Sequence, residues 1–198
     1  MKKILAVLLA ALMASAVMVS CGEKNGNSGS PSSVSSEAQN TISSATSEEV
    51  YDAINAAFAE KYPDAGMVIP NAPMEVDETT LNDKFGITTD MVEDYKGEMA
   101  GMMTNCDMLL VVKVKEGKME DVKAALEKAK DDQTAQFEWY AVMGNAERTA
   151  AAKVVENGNF AALIMVGIMD IGSDEAPDFT SDVQLAEDTF NKTVDAGK

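Results

Sequence analysis

In the part of the chain that is predicted to fold, the pattern of apolar and polar positions begins with helical spacing. Apolar side chains recur every three or four residues between Val50 and Tyr62, as on one face of an α-helix. Thr46 followed by Glu49 forms a capping-box pattern, so the helix is predicted to begin just after Thr46. It is predicted to end before Pro63, which cannot continue a helix.

Two shorter helices are predicted next. One spans about residues 78–85 and is closed by Gly86, since glycine favours the left-handed conformation at helix ends. The other begins at Thr89 or Asp90, either of which is a favoured capping residue, and runs to about Lys96.

The middle of the chain has the strongest pattern. Residues 106–115 alternate with a period of two and have one fully apolar face that includes Met108 and Val112, which predicts a β-strand. From Met119 the apolar residues return to helical spacing. They predict a long helix that ends near Gly144 or somewhat beyond it.

A hairpin and a last helix complete the pattern. Asn157-Gly158-Asn159 is typical of a type I′ turn, and it predicts a hairpin with strands at residues 153–156 and 160–171. A final helix is predicted with Pro177 near its first turn, because proline is tolerated there.

These elements predict a single α+β domain over residues 46–198. A strand, a crossover helix and a hairpin form a split β-α-β unit. We therefore expect an antiparallel three-stranded sheet with the spatial order 1-3-2. The long crossover helix, the C-terminal helix and short N-terminal helices complete the domain.

The beginning of the chain predicts export and lipid attachment. Lys2 and Lys3 precede an uncharged apolar run that is too short for a settled membrane span. Met18-Val19-Ser20-Cys21 follows and has the form of a lipobox. We predict a signal peptide at residues 1–20, a diacylglycerol with palmitate-type chains on Cys21, and a disordered Ser-rich tether at residues 21–45.

Charge limits the partners. Loss of a signal peptide that contains two lysines and no acids changes the formal charge from −17 to −19. Such a chain repels nucleic acid and anionic headgroups. We therefore expect no nucleic-acid partner, and membrane contact only through the lipid on Cys21, at the outer face of the cell membrane.

Cysteine and histidine usage narrows the chemistry further. Once Cys21 carries lipid, Cys106 has no cysteine partner, and the apolar run beside it predicts that it is a core residue. The chain has no histidine. This excludes the commonest general base and every Ser-His-Asp or Cys-His arrangement.

Several short motifs resemble one family of small lipoproteins from Gram-positive, clostridial-type bacteria that carry a domain of unknown function. The resemblance implies attachment to the outer face of the cell membrane, and it transfers no site residues. Besides the lipobox and the Ser-rich tether, the motifs are Phe85-Gly86-Ile87, residues 111–115 with Glu116-Gly117-Lys118, Val122-Lys123-Ala124-Ala125, Trp139-Tyr140 and Asn157-Gly158-Asn159-Phe160.

Four methionines are candidate ligands for a soft metal ion. Met99, Met102, Met103 and Met108 lie close in sequence, and thioethers can bind Cu(I). The first three also fit the buried side of a helical turn, because methionine is an adaptable core residue.

Acidic and aromatic clusters each have two interpretations. Five acids near the last helix suggest Ca²⁺ ligands or a solvated helix start, which negative charge favours. Trp139 and Tyr140 would either stack on a sugar or anchor the core, and the core is the stronger expectation. The acids are Asp170, Asp174, Glu175, Asp178 and Asp182.

The leading hypothesis is a membrane-anchored extracytoplasmic lipoprotein with a non-catalytic binding or structural domain. Its expected partner is an envelope protein or a cell-wall component, and no cofactor is expected. The alternative is a soft-metal or small-ligand binder that uses the Met99–Met108 region. An enzyme is the third hypothesis and the least favoured one.

Overall fold

The computed structural model describes residues 42–140, 142–169, 172 and 177–198. The predicted signal peptide, Cys21 and the tether up to residue 41 lie outside the described residues. The elements in chain order are α1 (Ser47–Lys61), β1 (Pro73–Glu75), α2 (Glu78–Phe85), β2 (Val92–Ala100), β3 (Met108–Val114), α3 (Met119–Phe137), a 3-10 turn (Val142–Gly144), α4 (Asn145–Ala151), β4 (Lys153–Asn157), β5 (Phe160–Met165) and α5 (Thr180–Ala196).

The described strands form one antiparallel sheet with the order β1-β2-β3-β5-β4. β3 lies at its centre and pairs with β2 on one side and with β5 on the other, and β5 in turn pairs with β4. The α+β class is confirmed. The predicted three-stranded sheet with the order 1-3-2 is wrong, because β1 and β2 extend the sheet beyond β3.

Strand β2 replaces the helix that was predicted from Thr89 or Asp90 to Lys96. Capping residues favoured a helix locally, but the central strand β3 needs a hydrogen-bonded neighbour on each edge. Gly97 lies within this pairing, where a Cβ would come 2.8 Å from the carbonyl oxygen of Leu109. Glycine therefore permits the close approach of the two strands.

Two hydrophobic cores lie on the two faces of the sheet and give the domain three layers. α1 and α5 cover one face, and α2 and α3 cover the other. β3 supplies Leu109 and Val111 to the first core and Leu110 to the second. Met108 and Val112 are fully buried, as predicted for this strand, but its opposite face is buried as well.

Helix α3 ends at Phe137, so the predicted end near Gly144 is wrong. Between α3 and α4, the backbone of Met143 and Gly144 is left-handed, with φ of +59° and +70°. A single helix therefore cannot continue from α3 into α4. α4 then begins at Asn145 as a separate helix.

The end of α2 and the hairpin turn are as predicted, whereas the end of β5 and the start of α5 differ from the prediction. α2 ends at the left-handed Gly86 (φ +68°), and Gly158 (φ +60°) lies in the hairpin turn. β5 ends at Met165, earlier than the predicted residue 171. α5 begins at Thr180, so Pro177 precedes the helix instead of lying in its first turn.

The start of α1 is also as predicted. The Thr46 hydroxyl accepts a hydrogen bond from Glu49 N at 3.2 Å, and Glu49 Oε2 accepts one from Thr46 N at 2.9 Å. Residues 43–45, which were predicted to belong to the tether, also contact the domain. Ser43 is buried, and its hydroxyl donates to the carbonyl oxygen of Val194 at 2.8 Å.

Candidate functional site

Four loops lie at one end of the sheet, which we call the distal end. The first follows α1, the second joins β2 to β3, the third follows α3, and the fourth joins β5 to α5. Gly101 N donates to Ala72 O at 2.9 Å and so connects the first two loops. The loops span residues 62–72, 101–107, 138–144 and, as far as it is described, 166–179.

The described chain begins at the opposite end of the sheet, which we call the proximal end. β3 runs from the distal loop to Val114, whose N–H donates to Asn159 O at 2.7 Å. Asn159 Oδ1 accepts a hydrogen bond from Ser43 N at 3.0 Å. At about 3.3 Å per residue, the length of β3 separates the two ends by about 20 Å.

A buried ion pair lies beneath the distal loops. Arg148 Nε is 2.5 Å from Asp107 Oδ1, and the two side chains are 4% and 1% exposed. Arg148 also donates to Met143 O at 3.2 Å and to Gly167 O at 3.1 Å. Its guanidinium group stacks 4.4 Å from the ring centre of Phe179. One side chain therefore connects α4 to three of the distal loops, those that contain Asp107, Met143 and Gly167.

Two buried asparagines hold the loop before β3. Asn105 Nδ2 donates to Asp107 Oδ2 at 2.8 Å, and its Oδ1 accepts from Asp107 N at 2.8 Å. Asn145 Oδ1 accepts from Cys106 N at 3.2 Å, and its Nδ2 donates to Thr104 O at 2.9 Å. The backbone of residues 104–107 is thus bonded from inside the domain.

Burial controls the ionisation of this cluster. It raises the pKa of Asp107 to about 6, against the lowering effects of Arg148 and Asn105. It also raises the pKa of the Cys106 thiol to about 11. Cys106 is therefore protonated at neutral pH and a poor nucleophile. Its full burial confirms that it is a core residue.

A second buried carboxylate lies at the same end. Asp182 Oδ1 accepts hydrogen bonds from Lys61 Nζ and from the Tyr62 hydroxyl, both at 2.6 Å. Its Oδ2 accepts one from Ile168 N at 3.0 Å. Burial, followed by the hydrogen bond with Asp182, raises the pKa of Tyr62. The carboxylate connects the end of α1 to the start of α5 and to the loop after β5.

Phe179 fits against two glycines near the ion pair. A Cβ at position 144 would lie 2.8 Å from the ring, and one at position 167 would lie 2.0 Å from it. The ring is 2% exposed. Glycine at both positions therefore leaves room for Phe179 to reach Arg148.

A cleft opens at the distal end beside these two polar clusters. One part, of about 300 Å³, is bordered by Asn105 and Arg148, and the adjoining part, of about 510 Å³, by Lys61 and Tyr62. Both parts combine polar and apolar walls, as ligand clefts generally do. The residues that border both parts are Asp64, Ala65, Ile168 and Met169.

Exposed apolar side chains are concentrated at the distal end. Among the described residues, eight large apolar side chains are exposed, and Ile42 is the single one at the proximal end. Met103 is 92% exposed and Trp139 is 81% exposed. We define the distal apolar surface as Met74, Met102, Met103, Trp139, Val142 and Met143.

The four candidate methionine ligands have different environments. Met99 and Met108 are paired across β2 and β3, and Met108 is fully buried. Met102 and Met103 lie in the exposed loop that follows β2. The predicted helical turn is absent from this described stretch, and the four thioethers do not share one cavity.

Of the aromatic pair Trp139 and Tyr140, both of which were expected in the core, one residue packs against it. Trp139 is exposed, so its assignment to the core is wrong, whereas Tyr140 is half-buried and packs against Phe137 at a ring distance of 6.5 Å. The reason is that α3 ends before both residues. Neither local spacing nor residue type identified this end.

The acidic cluster is likewise divided. Asp170, Asp174 and Glu175 lie outside the described residues. Asp178 is exposed, and its carboxylate accepts a hydrogen bond from Thr180 N at 2.9 Å. Asp182 is buried and bonded to Lys61. It therefore fits neither the interpretation as a Ca²⁺ ligand nor that of a solvated helix start.

Sequence reasoning missed the ion pair, although one signal pointed to it. Arg148 is the only arginine in a chain with 16 basic residues. Arginine suits buried pairing better than lysine because its planar group bonds several acceptors at once. A lone arginine beside many lysines is therefore a signal of a specific structural position.

The described residues contain neither a metal-binding cluster nor a membrane-spanning helix. No group of three or more Cys, Asp or Glu side chains there is arranged to hold a metal ion. Over the same part of the chain, no helix combines the length and apolar character needed to cross a membrane.

The fold and the distal end together define a three-layer α+β domain with a cleft at its distal end. The chain belongs to the family described as Domain of unknown function (DUF4358), whose model matches residues 67–166. The matched region contains the five described strands and two whole distal loops, and it leaves out α1 and α5. No curated protein and no solved structure matches the chain.

Replacement of Arg148 tests the buried ion pair. We expect Arg148→Met to lower the free energy of unfolding by about 3–5 kcal/mol, because it leaves the Asp107 carboxylate buried without its partner. Urea unfolding measures the change. Lys192→Ala, at an exposed position on α5, should change stability by less than about 0.5 kcal/mol. Equal stability of Arg148→Met and the wild type would contradict the assignment.

The pKa of Asp107 predicts a pH dependence. Its folded value of about 6 lies above its usual 3.8, so its stabilising contribution is complete below about pH 4 and is lost as the pH rises through 6. We expect the wild type to lose stability relative to Asp107→Asn between pH 4 and pH 7. Unfolding at several pH values measures this difference, and a gain over the same interval would contradict the raised pKa.

Proposed function

We propose that this chain is a lipoprotein anchored to the outer face of the cell membrane, and that its DUF4358 domain is a non-catalytic binding module. The lipobox at Met18-Val19-Ser20-Cys21 supports the anchor. Two acyl chains on one cysteine supply the two attachment signals that stable membrane binding requires. The distal end supplies the binding surface.

The observation that carries the binding role is the separation of the two ends of the domain. Of the eight large apolar side chains that are exposed among the described residues, seven lie at the distal end, while Ser43 is bonded to Asn159 at the proximal end. Exposed apolar groups collected on one surface are typical of interaction sites. An anchor joined at the proximal end leaves this surface free to meet a partner.

The ionisable groups at the distal end support a structural role for the charged residues. Asp107 is paired with Arg148, and Asp182 is paired with Lys61. Cys106 is buried as a thiol. Each group thus already has a structural role, which favours a preformed binding surface over acid-base or nucleophilic chemistry.

The alternative of a soft-metal site in the Met99–Met108 region has weaker support. Its ligands would have to move, because Met108 is fully buried and Met103 is 92% exposed. A partner that covers the exposed methionines needs no such rearrangement.

Replacement of Cys21 tests the anchor. In a host that processes bacterial lipoproteins, we expect the wild type to incorporate labelled palmitate and to fractionate with membranes. Cys21→Ser should incorporate no label and appear as soluble or unprocessed protein. Cys106→Ala is the matched control, because it removes the other cysteine and should keep both label and membrane location. A labelled, membrane-bound Cys21→Ser protein would contradict the proposal.

A further inference from the structure

We propose that the distal apolar surface binds a basic amphipathic helix of a partner protein. This inference rests on the proposed function, because it names the class of partner for the same distal end. It is based on exposed methionine and tryptophan side chains that lie beside loops with acidic residues and without lysine or arginine.

The residues of this surface belong to β1 and to distal loops that contact one another. Met74 in β1 lies beside Gly101, where a Cβ would be 3.0 Å from Met74 Cγ. Asn145 connects the next two loops, since its Nδ2 donates to Thr104 O at 2.9 Å and to Tyr140 O at 3.4 Å. The exposed side chains therefore lie on neighbouring segments at the same end of the sheet.

The charge of the distal end selects a cationic partner. The sequences of the four distal loops contain no lysine or arginine and seven acidic residues, of which Asp107 is buried in its pair with Arg148. Lys61, at the end of α1, is paired with Asp182. Asp64 and Glu138 are exposed. A helix with lysine or arginine on one face would complement this charge.

The residue types of the surface select an apolar helix face. Methionine is flexible and polarisable, so Met102, Met103 and Met143 can adapt to the side chains of a helix. Tryptophan and methionine are enriched at protein interfaces, and tryptophan often carries much of the binding energy. An amphipathic helix has the matching apolar stripe and a polar face for the acidic loops.

Backbone strain is also located here. Among the described residues, Ala72 and Met143 are the non-glycine residues with positive φ, at +49° and +59°. Both lie in distal loops. Strained conformations collect at ligand-binding segments, because the surrounding structure holds them for a purpose other than stability.

Charge and position disfavour the other occupants. A second copy of the chain would bring two acidic surfaces together, since each mature chain has a formal net charge of −17 − 2 = −19 after the loss of Lys2 and Lys3. A bilayer with anionic headgroups would repel the same loops. The proposed anchor also joins the domain through Ser43, which is bonded to Asn159 at the proximal end.

The single tryptophan makes the proposal directly measurable. Trp139 lies within the surface and is the only tryptophan of the chain, so its fluorescence reports on this site alone. The sample is the mature chain, residues 21–198, with Cys21→Ser to keep it free of lipid. The probes are three synthetic peptides of about 18 residues: an amphipathic Leu/Lys helix, a Leu/Glu helix, and a Ser/Lys peptide of equal charge.

We expect the Leu/Lys helix to move the Trp139 emission to shorter wavelength in a saturable way, and the other two peptides to leave it unchanged. Met103→Ser should weaken binding about tenfold or more, as expected for loss of a central contact. Ile42→Ser is the matched control, because Ile42 is exposed at the proximal end. It should bind like the wild type. Circular dichroism checks that each variant is folded.

Several results would overturn the proposal. An equal response to the Ser/Lys peptide would indicate charge attraction alone, and an emission shift that grows with protein concentration without peptide would indicate a second copy. A larger response to anionic vesicles than to the helix would indicate a bilayer. No response to the helix, or equal binding by Met103→Ser, would also contradict it. Labelled, membrane-bound Cys21→Ser would refute the anchor but leave a positive peptide result standing.

Discussion

The ion pair between Arg148 and Asp107 is the interaction on which the distal end depends. Removing two charges from water has a large cost, which their attraction only partly offsets. The pair is therefore better understood as a device that fixes position than as a source of stability. Arg148 contacts Asp107, the carbonyls of Met143 and Gly167, and the ring of Phe179, so a single group sets the relative positions of α4 and three loops.

The sheet separates the distal end from the proximal end, where Ser43 is bonded. β3 is buried on both faces between two hydrophobic cores, and such a strand is a stiff element because close-packed interiors deform little. The proximal end joins Ser43 to Asn159 and Val194. In the proposed function, the proximal end serves attachment and the distal end binds the partner, with a packed sheet between them.

Sequence patterns predicted the elements whose signals are local. The capping box of Thr46 and Glu49, the left-handed Gly86 and the alternation in β3 all depend on neighbours within a few residues. β2 was missed because its polar and apolar residues alternate poorly and its strand state comes from pairing with β3. Tertiary pairing of this kind overrides local propensity.

The candidate site was largely hidden for the same reason. The exposure of Trp139 follows from the end of α3, and the ion pair joins positions that are far apart in the chain. The sequence already showed two features of the site, a single arginine and four loops without lysine or arginine. Their meaning became clear only when the fold brought the loops to one end.

The most direct test of the account is photo-crosslinking of the lipidated protein in cells, with a photoreactive amino acid at position 103 and, separately, at position 42. The account predicts that position 103 forms a covalent adduct with one protein, through a segment rich in lysine or arginine and apolar residues. Position 42 should form no such adduct. The same adduct at both positions, or one at position 42 alone, would contradict the claim that the distal end is the binding surface.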